Sequence, residues 1–285
     1  MNTSISTAVH YRYSLEETIR RYARMGYDQV EIWGGRPHAY CDDMTDEAVR
    51  SLRNVLEETG LTISSWIPAQ FRYPTNLAAP IESLRTSSVD YLKKSIDAAA
   101  RSGSPRVSVC PGYSLIDMDY SASREAMLRS FRDLIDFTGS AQSSGTPILL
   151  IEPANSWESD LVVTVNDAIM VLEELGRPEN FGIVADTGHC HINQEPLADI
   201  PRKIHGFPAH YHIDDNRGVS DDHLIPGRGI MNFDSFFSAL AETGYVGPLA
   251  VELGFGYTVD PDPAALESLR WLRGKNEAIT KKRTA

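Results

Sequence analysis

The sequence predicts an α/β protein with the (β/α)8 or TIM barrel fold, formed as a single domain over residues 1–285. One observation is that 285 residues do not force a division into two domains, because α/β barrels commonly run about 250 residues as one unit. A second is that a glycine closes each of seven amphipathic segments, and a short apolar run follows it. A third is the spacing of these glycines, which are 30 to 43 residues apart, the length of one strand–helix unit; they are Gly26, Gly60, Gly103, Gly145, Gly176, Gly206 and Gly244.

The apolar runs are short and bounded by turn residues, as expected of buried parallel strands. In chain order they are ISTAV, DQVEIW, LTISSWI, RVSVC, PILLIE, FGIVAD, PAHYHI and PLAVEL. Helices are predicted between them, and ALESLRWLRGKN is the last of eight. Ser14–Glu17 and Thr164–Asp167 are placed to form capping boxes. An open doubly wound sheet is the alternative, but STAVHYRYS lacks the glycine fingerprint that such a sheet carries after its first strand.

Composition restricts the partners and the location of the protein. The net charge is −12 and the pI is about 5.1, which argues against binding nucleic acid or an anionic membrane and favours a small, neutral, polar substrate. Cys41, Cys110 and Cys190 show no disulfide or CxxC pattern. The opening MNTSISTAVHYRY is unlike a signal peptide, and no run approaches 18 apolar residues. We therefore expect a cytoplasmic protein.

Charged side chains stand at the ends of four consecutive predicted strands, where a barrel places its active site. They are Glu152, Asp186, His212 and Glu252. One such residue alone is more often a helix cap or an ion-pair partner, but four on successive strands would share one rim. Three carboxylates and an imidazole suit one divalent cation, with Mn²⁺ preferred and Co²⁺ or Mg²⁺ as alternatives. His210 is expected to face away from this site and to be structural.

Several motifs together carry a family resemblance. LIEPANSWESD, ADTGH, HYHIDDNRG, DDHLIPGRG and VEL resemble the sugar isomerase/epimerase superfamily of xylose isomerase-like TIM barrels. The chain is similar in particular to ketose 3-epimerases of the D-tagatose/D-psicose type and to fructoselysine 3-epimerase. The resemblance extends from EIWGGRPHAY to VEL, which is nearly the whole chain.

The resemblance implies one metal held by the four strand-end residues, and substrate contacts from Glu158, His189 and Arg217. It implies a ketose 3-epimerase or isomerase that removes the proton at C3 and passes through a metal-bound enediolate. Glu152 and Glu252 would then act as the acid/base pair on opposite faces of C3. Each of the three contact residues could instead have a purely structural role. Glu158 could be a charge at a helix N-terminus, His189 could cap the loop after the sixth strand, and Arg217 could be solvated.

Aromatic and imidazole side chains near the predicted strand ends are candidates for shaping the substrate pocket. In EIWGGRPHAY, Trp33 and His38 could line a specificity wall, or the loop could be a stiff closure of the barrel mouth or a subunit contact. Trp66 could stack on the sugar or simply pack. His223 in DDHLIPGRG could bind a further metal, as in related nucleases, or order its loop.

Other activities remain open on the same scaffold. The main alternative is a lyase that cleaves 3-oxo-glycosides, including C-glycosides; lyases of this type sometimes have a small second subunit. Aldose–ketose isomerisation, an apurinic-site endonuclease and a non-catalytic sugar- or metal-binding barrel are further alternatives, and the negative charge disfavours the nuclease. The resemblance also implies a homo-oligomer, either a dimer or a tetramer, and leaves the sugar substrate undetermined.

Overall fold

Eight parallel strands form the centre of the molecule. The computed structural model describes residues 1–70, 75–140 and 145–284. The strands in this part of the chain are β1 (Thr3–Ile5), β2 (Gln29–Gly34), β3 (Thr62–Pro68), β4 (Arg106–Val109), β5 (Ile148–Ile151), β6 (Phe181–Asp186), β7 (Ala209–Ile213) and β8 (Leu249–Val251). Their order around the sheet is β1-β8-β7-β6-β5-β4-β3-β2, and a bridge between Ser6 and Glu31 links the two ends. The predicted barrel is therefore confirmed.

Helices cover the outside of the sheet. Those in the described residues are α1 (Leu15–Met25), α2 (Asp46–Thr59), α3 (Glu82–Ser102), α4 (Tyr120–Ser140), α5 (Val165–Glu174), α6 (Thr187–Ile192), α7 (Ile200–Lys203), α8 (Phe233–Thr243) and α9 (Pro261–Thr284). At Thr164 both hydrogen bonds of the capping box are formed. At Ser14 the side chain accepts a hydrogen bond from the Glu17 amide, but the reciprocal bond from the Ser14 amide to the Glu17 side chain is not formed. Within the described part, no helix combines the length and apolar character needed to cross a membrane.

The seven glycines predicted to end helices all have φ between 71° and 128°. At Gly26, for example, the chain leaves α1 in the left-handed region, and the amide donates to the carbonyl oxygens of Tyr22 and Ala23. A residue with a Cβ would be strained there, so the glycine stops the helix and frees the chain to enter β2.

Two predicted elements differ from the structure. The first strand is Thr3–Ile5 and not ISTAV, because Ser6 accepts the Ala8 amide and starts a 3-10 turn over Thr7–His10. Between β6 and β7 the single predicted helix is divided into α6 and α7. Pro196 lies between them, and it cannot donate the backbone hydrogen bond that a continuous helix needs.

Candidate metal centre

The four predicted strand-end residues meet in one buried cluster at the carboxyl end of the barrel. Asp186 and His212 are register partners across β6 and β7, while Glu152 and Glu252 are the first residues after β5 and β8. His212 Nδ1 lies 2.8 Å from Glu152 Oε1, 3.0 Å from Glu252 Oε2 and 3.8 Å from Asp186 Oδ2. Parallel pairing therefore brings three carboxylates around one ring nitrogen.

A divalent cation fits this donor set. One ligand atom from each of the four residues lies within 4.8 Å of the other three. Asp186 Oδ2 is buried and has no hydrogen-bond partner among the described residues, and burial raises the pKa of this carboxyl. Burial also disfavours ionised Glu152, but His212 outweighs it and holds the Glu152 pKa below its usual range. A bound cation would offset the cost of keeping these carboxylates together.

Glu31 is a member of this site that the sequence analysis missed. It is fully buried in β2, and its Oε2 lies 3.1 Å from His212 Nε2 and 2.9 Å from His210 Nε2. Burial opposes its ionisation, but the two histidines lower its pKa to about 2. A proton on His212 Nε2 that is donated to Glu31 leaves the Nδ1 lone pair available to a cation. The only available signal was a charged residue inside an apolar strand.

The expectation that His210 faces away from the cluster is wrong. Side chains two residues apart on a strand project to the same side. The rings of His210 and His212 accordingly have centroids 5.5 Å apart and share the Glu31 carboxylate. His210 thus helps to hold Glu31 beneath the cluster.

His189, in α6, and Glu158, on the loop that follows β5, lie beside the cluster. The His189 amide donates to Asp186 Oδ1 at 2.7 Å, and its ring nitrogens are 3.1 Å from the Pro153 carbonyl oxygen and 3.3 Å from Asp221 Oδ2. Glu158 is half-buried, and burial, assisted by the charge of Asp221, raises its pKa to about 7. Near neutrality a large share of Glu158 is protonated, so it can donate a hydrogen bond to a sugar oxygen.

His223 lies against the same region. Its Nε2 is 2.9 Å from Asp221 Oδ2, its Nδ1 is 3.5 Å from Asp214 Oδ2, and its φ is +42°. It belongs to two further groups whose ligand atoms lie within 4.8 Å of one another, one with His189 and Asp221 and one with Asp186 and Asp214. Both alternatives from the sequence, loop ordering and metal binding, are compatible with these contacts.

Arg217 and Trp66 stand apart from the cluster. The Arg217 side chain is 62% exposed on the loop after β7, with Nη1 3.7 Å from Asp222 Oδ2. Trp66 has no exposed surface, and a Cβ at Gly34 would lie only 2.9 Å from its Nε1. Trp66 therefore packs beneath the end of β2, and this position offers no face for stacking on a ligand.

The loop after β2 is anchored on several sides. The Trp33 amide donates to Thr7 Oγ1 at 2.9 Å, and His38 Nε2 lies 3.1 Å from the Tyr13 carbonyl oxygen. A Cβ at Gly35 would lie 2.2 Å from the Trp33 ring, so only glycine admits this ring position. Arg36 pairs with Asp43 at the surface instead of facing a pocket. Trp33 is half-buried, so part of its surface is exposed to solvent.

A narrow cleft with a cavity volume of about 20 Å³, room for roughly one water molecule, lies between the loops that follow β3, β4 and β5. Glu158 and Cys110 lie in its wall, together with Leu77 and Gly112. Burial raises the pKa of the Cys110 thiol, and the charge of Glu152 raises it further, so this cleft adjoins the cluster.

Comparisons with known proteins agree with this architecture. Residues 19–275 match the family model described as xylose isomerase-like TIM barrel. The fructoselysine 3-epimerase of Shigella flexneri is 30% identical over 281 residues, covering 96% of this chain and 97% of the relative. The ketose 3-epimerase of Arthrobacter globiformis is 26% identical over 257 residues, covering 88% of this chain and 80% of the relative. A crystal structure of a D-tagatose 3-epimerase-like protein superposes with a TM-score of 0.83 at 21% identity, over 99% of each chain.

Proposed function

The chain belongs to the xylose isomerase-like TIM barrel family, and we propose that it is a divalent-metal-dependent ketose 3-epimerase. The observation that carries this proposal is the placement of Glu152 and Glu252 within 3.0 Å of the same atom, His212 Nδ1, from β5 and β8. Two strands, β6 and β7, separate them in the sheet, so the two carboxylates approach the cluster from different directions. The relatives named for sugar 3-epimerase activity support the same reaction class.

The proposed cation is Mn²⁺, with Co²⁺ or Mg²⁺ as alternatives, since the donors are mainly carboxylate oxygens. When bound, it would polarise the carbonyl and neighbouring hydroxyl of a 2-ketose and so acidify the proton at C3. Glu31 and His210 keep His212 in the orientation that presents Nδ1 to this position.

Proton transfer at C3 is assigned to the two glutamates. One carboxylate removes the C3 proton from one face, and the other delivers a proton to the opposite face, which inverts the carbon. Ser108 donates to Glu152 Oε2 at 2.9 Å and fixes its orientation. Glu252 is 22% exposed, so it lies on the side of the cluster nearer to solvent.

Recognition of the remaining sugar is proposed for the surrounding loops. Glu158 and His189 would hydrogen-bond sugar oxygens, and Arg217 would contact the substrate from its exposed loop. Trp33 and His38 would limit the far end of the substrate. Trp66 supports this wall from below.

The test is an assay in D₂O with the metal-loaded protein and a panel of free hexuloses, amine-linked ketoses and 3-oxo-glycosides. The cation is removed before NMR so that paramagnetic Mn²⁺ does not broaden the spectra. Deuterium at C3 of an inverted ketose is the expected result. Release of an aglycone without inversion would overturn the proposal in favour of a lyase, and transfer between C1 and C2 would indicate an aldose–ketose isomerase.

A further inference from the structure

A single buried carboxylate closes the loop between β7 and α8. Asp215 has no exposed surface, and its side chain accepts hydrogen bonds from four backbone amides. Oδ1 accepts from Asn216 at 2.9 Å and from Met231 at 3.3 Å, while Oδ2 accepts from Gly227 and Gly229, each at 2.9 Å. The first residue of the loop and three residues at its far end are thus tied to one side chain.

The backbone around Asp215 reinforces this closure. Asp215 and Leu224 exchange amide-to-carbonyl bonds of 3.0 and 2.7 Å, and the Ile230 amide donates to the Asn216 carbonyl at 3.0 Å. A Cβ at Gly229 would lie 2.1 Å from Asp215 Oδ1. The second glycine of the GRG sequence is therefore required by the close approach of this carboxylate.

The residues held by Asp215 are direct neighbours of candidate site residues. Asn216 precedes Arg217, and Leu224 follows His223, whose ring contacts Asp221. Asn216 also donates to the Gly188 carbonyl at 3.0 Å, which connects the loop to the helix that carries His189. If the hydrogen bonds from the four amides to Asp215 were lost, the loop would move relative to the cluster, while the strand-end residues would stay in place.

We infer that Asp215 is a positioning residue for substrate binding and turnover, acting through the loop 216–231. This inference rests on the proposed function, because it assigns the loop a task at the sugar site. Its bonds are to backbone amides and not to the cluster, so its effect on cation binding should be separate from its effect on the substrate.

The test is Asp215→Asn in the full-length, metal-loaded protein. In either orientation the amide turns an NH₂ group towards two backbone N–H groups that now donate to an oxygen. The expected result is a fall in kcat/KM of about 100-fold, the scale of a misplaced binding group. Mn²⁺ affinity, read from the free-ion electron paramagnetic resonance signal, should be unchanged. Hydrogen exchange should lose protection in peptides covering 225–232.

The matched control is Leu134→Ala, which removes core packing from α4. It should lower Tm while kcat/KM and exchange in 225–232 stay as in the parent protein. If Asp215→Asn does not fold, Asp215→Glu keeps the charge and displaces it by one methylene, and it should show the same separation. Unchanged kcat/KM, retained protection, or a parallel loss of Mn²⁺ affinity would each overturn the inference. If the parent protein epimerises no ketose, the proposed function fails, and the exchange result alone decides whether Asp215 holds the loop.

Discussion

The rim formed by β5 to β8 and the rim formed by β1 and β2 are on the same face of the barrel but are constructed differently. On the first, the reactive side chains belong to strand ends and converge on His212 Nδ1. On the second, loop residues are anchored one by one, Trp33 to Thr7 and His38 to Tyr13. Under the proposed function, proton transfer would rely on side chains fixed by the sheet, whereas the outer limit of the substrate would be set by residues of the β2 loop.

The largest expected effect is at the β5 to β8 rim. Glu152→Gln and Glu252→Gln should each lower kcat about 1,000-fold, because each removes a proton-transfer group while keeping an oxygen ligand. Steady-state kinetics with Mn²⁺ check this, and metal analysis confirms that the site is still loaded. A kcat within a few-fold of the parent for either variant would break the assignment.

Glu31 tests the support beneath the same rim. Glu31→Gln should weaken Mn²⁺ binding 10- to 100-fold, roughly the cost of losing an outer partner of a ligating histidine. Titration followed by electron paramagnetic resonance measures the affinity directly. Gln29→Ala, which changes a partly exposed residue of the same strand, is the control and should bind Mn²⁺ as before.

His38 gives the β2 loop a pH-dependent contribution to stability. Burial lowers its pKa to about 4, so the folded state keeps it neutral while the unfolded chain titrates near 6.5. The contribution of His38 to the free energy of unfolding is complete above pH 6.5 and is lost as the pH falls towards 4. The loss amounts to about 2 kcal/mol at pH 5. Urea unfolding of the parent and of His38→Gln at pH 8 and pH 5 isolates this contribution. An equal difference between the two proteins at both pH values would contradict it.

The smallest expected effect is on recognition at the β2 loop. Trp33→Leu should raise KM about 10-fold through lost stacking and leave kcat nearly unchanged. Initial-rate kinetics on the best ketose from the panel provide the measurement. A fall in kcat with constant KM would instead connect this wall to proton transfer and remove the contrast between the rims.

The cluster could be predicted because its four residues all lie at or beside the C-terminal ends of consecutive strands, and strand ends can be read from the apolar runs. Once the parallel order is set, Glu152, Asp186, His212 and Glu252 must share one edge. Glu31 was not predicted, because a carboxylate inside an apolar strand gives no sign of which histidines it meets. His210 was assigned to the wrong side, although a period of two places it with His212.

The loops could not be placed from sequence. Arg36 pairs with Asp43 and His38 meets Tyr13, and no periodic pattern relates these residues. The same holds for Asp215, whose amide partners lie up to 16 residues away. The preferred cation, the cytoplasmic location and the homo-oligomer stay predictions.

The most direct test of the two-face account is C3 hydrogen exchange in D₂O, measured separately on each of the two epimers with metal-loaded Glu152→Gln and Glu252→Gln. Each variant retains one proton-transfer group, so it should exchange the C3 proton of one epimer without inverting it. The two variants should prefer opposite epimers. Equal exchange of both epimers by either variant, or inversion at the parent rate, would contradict the account.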